Sequence, residues 1–307
     1  MRFGAAFWVQ RTDWPSLREA VVRAEADGFD DLWIDDHLLS DEGDWRDPKF
    51  EGWTTLAAVA ALTARARVGL MVGANTMRHP GVVAKMAVTV DHISGGRAIL
   101  GIGAGWFERE HEAFGIDFGT GVGERLDWLS EAVPLLRRLL DGEEVSSDGR
   151  FYHLDRALCT PRAVQARLPI LVGGAGPRKT IPLIARSADM WNTYGWPHEV
   201  AASNALLVEA CAAAGRDERE IERTVNLNVV IRESRAEAEA VWASYYREHN
   251  PRGGEGRLDA GGSIADVSAT LREYRDAGFD HPVCIFRTPW DLETMARLPE
   301  LRAALES

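Results

Sequence analysis

Lysine is nearly missing from this 307-residue chain: it occurs at Lys49, Lys85 and Lys179 only, so almost every cation is an arginine. That bias tracks genomic base composition rather than chemistry. Positive charge is scarce as a whole, with 35 Lys and Arg against 47 Asp and Glu and a net charge of -12. Nucleic acid and anionic membrane surfaces are thereby excluded as partners, since both need a basic face. Cysteine is scarce too. Cys159, Cys211 and Cys284 are scattered and odd in number, which points to neither a disulfide framework nor a zinc site. No apolar run approaches the length of a membrane span. The opening MRFGAAFWVQ has one basic residue and too short an apolar stretch for a signal peptide, so the expected location is the cytoplasm. Low-complexity tracts and helical repeats are absent.

What the chain does have is alternation. At 46% hydrophobic it can bury a large core. Asp13 reads as the N-cap of a helix whose Leu17, Ala20, Val21 and Ala24 share one face, with Gly28 as its stop. Strands are expected at Phe3 to Phe7 and Leu32 to Ile34 on either side of it. The pattern continues with a helix near Thr54 to Ala64, a strand Arg67 to Val72, a helix near Gly81 to Ile93 and a strand Ala98 to Ile102. A helix Glu124 to Leu140 follows, and further strands start near Pro169, Met190, Thr224 and Val283. About eight strand–helix units fit an α/β fold of the (β/α)8 (TIM) barrel type better than a doubly wound sheet. The expected organisation is one domain over residues 1–307. Three segments exceed simple turns and are read as insertions at the C-terminal face: Ser40 to Trp53, Val145 to Leu168 and Arg247 to Gly262. The last is glycine- and charge-rich and is read as a lid over the barrel mouth.

Candidate chemistry gathers at the C-terminal strand ends. The strand at Ala98 runs into Gly101, Gly103 and Gly105, and the strand at Pro169 opens into Gly173-Gly174-Ala175-Gly176-Pro177. Glycine lets a backbone come close to a ring or phosphate, so the two ends suggest one shared anionic ligand. Asp35-Asp36-His37 follows the second strand, where a histidine suits proton transfer near neutral pH and a carboxylate could orient it. Alternation places Asp35 and His37 on one side and Asp36 on the other. Asn75 could hydrogen-bond a heterocycle or serve a turn. Trp8, Trp33, Trp45, Trp53, Trp106, Trp191, Trp196 and Trp290 all fall near strand ends or the loops beyond them, which suggests an aromatic-walled pocket. Asp36 and His37 with His79, His92, His111 or His153 form no recognised metal-ligand spacing, so no metal is expected.

The segments GFDDLWIDDHL (28–38), VGLMVGANTMRHPGVVAKMAVTVDHISGGRAILGIGAGW (68–106), PRAVQARLPILVGGAGPRKTIPLIARSADMWN (161–192) and the late DAGFDHPVCIF resemble the bacterial luciferase-like flavin and deazaflavin oxidoreductases. The resemblance implies a (β/α)8 barrel with the ring at its mouth, and LGIGAGW looks most like the branch using coenzyme F420. It implies that His37 lies near the reactive face of the ring, that Asp36 contacts it, and that a bulge at Met71-Val72, often with a cis peptide, backs it with Ala74 and Asn75 alongside. Ala104-Gly105 and Gly174-Ala175-Gly176 would hold the ribityl chain and phosphate, with Arg178 or Lys179 adding charge. Sugar-phosphate dehydrogenases of this branch carry a glutamate where this chain has Trp106. A pocket of Trp8, Trp106, Arg109 and Trp196 is therefore expected to take an apolar small molecule. The expected activity is F420-dependent hydride transfer by a homodimer. The alternatives are an FMN-dependent monooxygenase fed by a flavin reductase, and a non-catalytic flavin-binding protein of the same fold.

Overall fold

Eight short strands of mostly buried residues pair in parallel and close on themselves: β1 Gly4–Phe7, β2 Asp31–Ile34, β3 Arg67–Leu70, β4 Ala98–Gly103, β5 Ile170–Gly173, β6 Met190–Thr193, β7 Glu222–Leu227 and β8 His281–Phe286. The computed structural model describes residues 1–249 and 256–306. Each strand pairs with its sequence neighbour, and β8 returns to β1 through pairs such as Ala6 with Ile285. The (β/α)8 barrel expected from alternation is therefore the architecture found.

Strand alternation sorts side chains into two cores. Ala6, Trp33, Met71, Ile99, Leu171, Met190 and Val283 fill the barrel interior, and a much larger cluster packs between strands and helices. Trp33 needs special accommodation: a Cβ at Gly4 or Gly69 would lie 2.8 and 2.6 Å from its indole. Burying such a ring removes roughly 200 Å² from water, on the order of 5 kcal/mol.

Local signals set the helices. In α1 (Trp14–Asp27) Asp13 accepts the Ser16 N–H and Gly28 takes the left-handed conformation that ends it, as read from sequence. Next come α2 (Gly52–Leu62), α3 (Pro80–Ser94), α4 (Glu108–Phe114), α5 (Val122–Leu140), α6 (Thr180–Ser187) and α7 (Pro197–Ala214), then α8 (Arg235–His249), α9 (Ile264–Asp276), α10 (Leu292–Ala296) and α11 (Leu298–Glu306).

Of the three long segments, Val145 to Leu168 is not structureless. It holds an antiparallel hairpin, Val145–Asp148 with His153–Ala157. The expected lid is partly outside the described residues, which omit 250–255. Its start continues α8, and its end forms a short strand, Ala260–Gly262, beside Val229–Ile231.

At the N-terminal end of the barrel, charges replace apolar side chains. Arg67 Nη2 binds Asp31 at 3.0 Å and Glu222 at 2.8 Å. His281 sits between the same carboxylates, 2.6 Å from Asp31 and 2.7 Å from Glu222. Both acids are held below the usual carboxylate range because His281 and Arg67 outweigh the cost of burial.

Candidate active site

Strand β2 stops at Ile34, and the three polar residues after it go to two different networks. Asp35 accepts the Val9 N–H at 2.9 Å and pairs with Lys49. Lys49 Nζ reaches Asp41 at 2.8 Å, and the other Asp41 oxygen lies 3.7 Å from His37 Nε2. His37 Nδ1 lies 2.9 Å from Glu110 Oε1, while Glu110 Oε2 accepts the Leu38 N–H at 2.7 Å. Asp35 and His37 thus share one network, as alternation predicts. Asp36 belongs to the other: it binds Arg78 through both oxygens (2.7 and 3.1 Å) and accepts the Ala74 N–H at 3.2 Å. Arg78 also holds Glu51, which caps α2. Fully buried Asp36 therefore ties the end of β2 to the segment after β3.

Burial and charge compete at each group. Burial pushes the His37 imidazole down, but the Asp41 charge and the Glu110 hydrogen bond overcome it, and His37 is held above its ordinary value of 6.5. Asp41 stays low despite burial because His37 and Lys49 face it. Asp36 goes the other way, raised by burial that Arg78 does not fully offset. Aromatic rings flank His37: Trp106 meets it edge-on at 5.3 Å and Phe107 at 5.9 Å.

Beyond β3 the chain bulges. The Met71–Val72 peptide is cis, Met71 joins the interior cluster, and Gly73–Ala74 rejoins the sheet against β4. The glycines of β4 and β5 serve this bulge. A Cβ on Gly101 would lie 1.9 Å from the Leu70 carbonyl, and one on Gly103 or Gly173 would lie 2.8 or 3.0 Å from Val72 Cγ2. Reading Gly101, Gly103 and Gly173 as ligand-facing is thus corrected: the close neighbour is the chain's own backbone and Val72. Gly105 (φ 77°) and Gly174 (φ 114°) remain as left-handed turns at the two strand ends. Ala104 and Ala175 pack beside them on the outer core, and Gly176 accepts the Ile181 N–H.

Asn75 donates its backbone N–H to Gly103 and its Nδ2 to the Tyr152 hydroxyl at 2.9 Å. Its Oδ1 is buried and has no hydrogen-bond partner among the described residues. A buried acceptor left open is costly unless a ligand fills it. At the β5 end, Lys179 is committed to Asp127 and the Gly123 carbonyl, whereas exposed Arg178 has no ion-pair partner among the described residues.

The tryptophan wall is smaller than expected. Trp33 and Trp191 are fully buried, one inside the barrel and the other outside it against Phe279 with its Nε1 on the Gly174 carbonyl. Trp53 is in the α2 core and Trp290 packs on Phe7. Trp106 (62% exposed) and Trp196 (42%) remain open, and Trp8 packs on the interior cluster below Arg287. Arg257 stacks on Trp196 at 3.9 Å. Arg109 stacks on Trp45 and pairs with Glu112.

Glu110, Asp41, Lys49, Arg78 and Tyr152 were not read from sequence as site residues. Glu110 lies 73 positions from His37, a separation no local pattern reveals. Among the described residues, the one group with metal-like spacing is Asp31, Glu222 and His281 at the opposite end, where Arg67 already supplies the cation.

Comparison with known proteins agrees with this architecture. An uncharacterized protein of Mycobacterium tuberculosis is 37% identical over 165 residues, 54% of this chain and 57% of that one. An F420-dependent glucose-6-phosphate dehydrogenase of Kineococcus radiotolerans is 35% identical over 231 residues, 72% of this chain and 66% of the relative. These matches thus span between about half and two thirds of the relatives' own length. A solved F420-dependent secondary alcohol dehydrogenase, captured with an F420-acetone adduct, superposes with a TM-score of 0.84 over 100% of this chain and 99% of its own, at 20% identity, a likeness of fold. The luciferase-like monooxygenase family model matches residues 1–283, and the chain belongs to that family.

Proposed function

We propose that this chain, acting as one domain, is an F420-dependent oxidoreductase that moves a hydride between the deazaflavin C5 and a small, apolar organic substrate. The observation that carries this reading is His37 at the barrel mouth, with Nδ1 on Glu110 and Nε2 free of any hydrogen bond among the described residues. Beside the bulge, the open Asn75 Oδ1 fits a heterocycle that offers an N–H. The turn amides of Ala175 and Gly176, with Arg178, fit a phosphate, since backbone N–H groups ahead of a helix favour an anion; the Gly174 N–H is taken by the Asn192 carbonyl. When bound, F420 supplies a two-electron hydride centre. The protein's part is orientation, exclusion of water and a proton at His37 Nε2. F420-dependent relatives such as the Kineococcus enzyme support the cofactor.

Substrate polarity follows from the walls. Trp106 and Phe107 stack at 5.4 Å beside His37, and Arg109, Arg257 and Arg287 are paired with Glu112, Asp259 and Glu42. A phosphosugar needs a cluster of free cations, and flat apolar molecules do not.

Calorimetric titration with F420 and FMN side by side tests the reading. F420 is expected to bind, and Gly174→Val to weaken it, because that position is left-handed. Turnover is expected on hydrophobic carbonyls, enones or alcohols before glucose 6-phosphate. Binding of FMN alone would replace this reading with a reductase-fed monooxygenase. F420 binding without turnover of any substrate would leave a binding protein.

A further inference from the structure

His37 is held from both ring nitrogens by groups of different kinds. Glu110 is 1% exposed and both its oxygens are committed, Oε1 to His37 Nδ1 at 2.9 Å and Oε2 to the Leu38 N–H at 2.7 Å. It cannot turn away without releasing the backbone that carries the histidine. Asp41 is different. It approaches Nε2 at 3.7 Å, too far for a hydrogen bond, and its other oxygen is anchored on Lys49, which is itself braced by Asp35.

We propose that Glu110 and Asp41 are positioning residues that divide the two protons of His37 between them. Glu110 fixes one permanently on Nδ1, and Asp41, metered by Lys49, stabilises the second on Nε2, the nitrogen that exchanges with substrate. The division rests on His37 being the proton-transfer group of the proposed reaction. It gives that reaction an acidic partner, Asp41, on the loop after β2, while the turn after β4 presents the uncharged Trp106.

The charges facing the ring from each packed element fit this division. α4 contributes Glu110, the loop after β2 contributes Asp41 and Lys49, Asp35 lies behind Lys49, and the Trp106 and Phe107 faces bring no charge. An orienting carboxylate on one histidine nitrogen selects which tautomer the neutral ring adopts. A carboxylate 3.7 Å from the other nitrogen favours the imidazolium, and Lys49 limits how strongly.

NMR titration of the histidine rings in cofactor-free protein tests this without any assumption about F420, the His37 signals being assigned by their loss in His37→Gln. In the wild type the neutral ring is expected to carry its proton on Nδ1. A neutral ring protonated on Nε2 would overturn the role of Glu110. Asp41→Asn should lower the His37 midpoint by roughly one pH unit, Lys49→Met should raise it, and Asp41→Glu should restore it. An unmoved midpoint in folded Asp41→Asn would overturn the role of Asp41. With active enzyme, the corresponding limb of the kcat profile should move with the midpoint while cofactor affinity stays within about threefold. Normal titrations without F420 binding would sink the proposed function and leave this division intact; F420 turnover with abnormal titrations would do the reverse.

Discussion

Two histidines stand at opposite ends of one barrel, each between two carboxylates with a permanent cation nearby, and they are built for opposite ends. His281 has 1% of its side chain exposed and contacts Asp31 and Glu222 at 2.6 and 2.7 Å, with Arg67 completing the set. His37 has 12% exposed, and only one of its nitrogens has a close partner. The ingredients are the same, and closure differs. Where both ring nitrogens lie within 2.7 Å of a carboxylate oxygen, the network holds strands together; where one nitrogen has no such close partner, it can trade a proton. That division agrees with the general asymmetry of these barrels, stability at the N-terminal face and chemistry at the C-terminal one.

The sharpest way to break the comparison is to remove each imidazole in turn. His37→Ala should lower turnover by ~10² to 10⁴ while changing cofactor affinity by far less, because a positioned acid or base contributes that much in rate. Steady-state kinetics alongside titration would show it, and equal losses in both would make His37 a binding residue. His281→Ala should leave turnover per folded molecule nearly unchanged but cost about 3 kcal/mol of stability in denaturant, the lower end for a broken buried ion pair because Arg67 remains.

Acidity offers a finer probe. His281 is held above its ordinary 6.5, with burial opposing and Asp31 and Glu222 prevailing. Its contribution is therefore complete below that ordinary value and is lost as pH rises through the raised one. Asp31 and Glu222, held low, contribute above the ordinary carboxylate range and lose that contribution as pH falls through their depressed values. Thermal melts should show a plateau between these limits and a decline on each side. His281→Gln should flatten the alkaline decline; a decline unchanged in slope would mean the network does not govern it. The smallest effect is expected at a third pair, His153 with Asp148, 2.7 Å apart but exposed on the hairpin. His153→Ala should leave melting and turnover at wild-type values, as is usual for surface ion pairs.

The sequence carried the barrel well and the site only in part. Alternation located all eight barrel strands, and Asp13 and Gly28 marked the ends of α1, because caps and periodicity are local properties of the chain. His37 could be singled out because it follows a strand directly. Its partners could not: Glu110 arrives from α4, 73 positions on, through closure of the barrel, and Asp41 and Lys49 lie on an irregular loop whose path no periodicity sets. Trp33 and Trp191 misled for a related reason. Proximity to a strand end does not say which face of the strand an indole takes, and here one faces inward and the other outward.

The glycine seam beside the Val72 bulge has a further consequence, for how this protein can change over generations. Gly101, Gly103 and Gly173 present bare main chain to Leu70 and Val72, at separations where any added carbon collides. A stretch of wall made of backbone offers selection no side chain to vary, so single-letter drift cannot resculpt it. Change on this face of the barrel must instead fall on positions such as Trp106 and Trp196, exposed on the loops, where side chains are free to be exchanged.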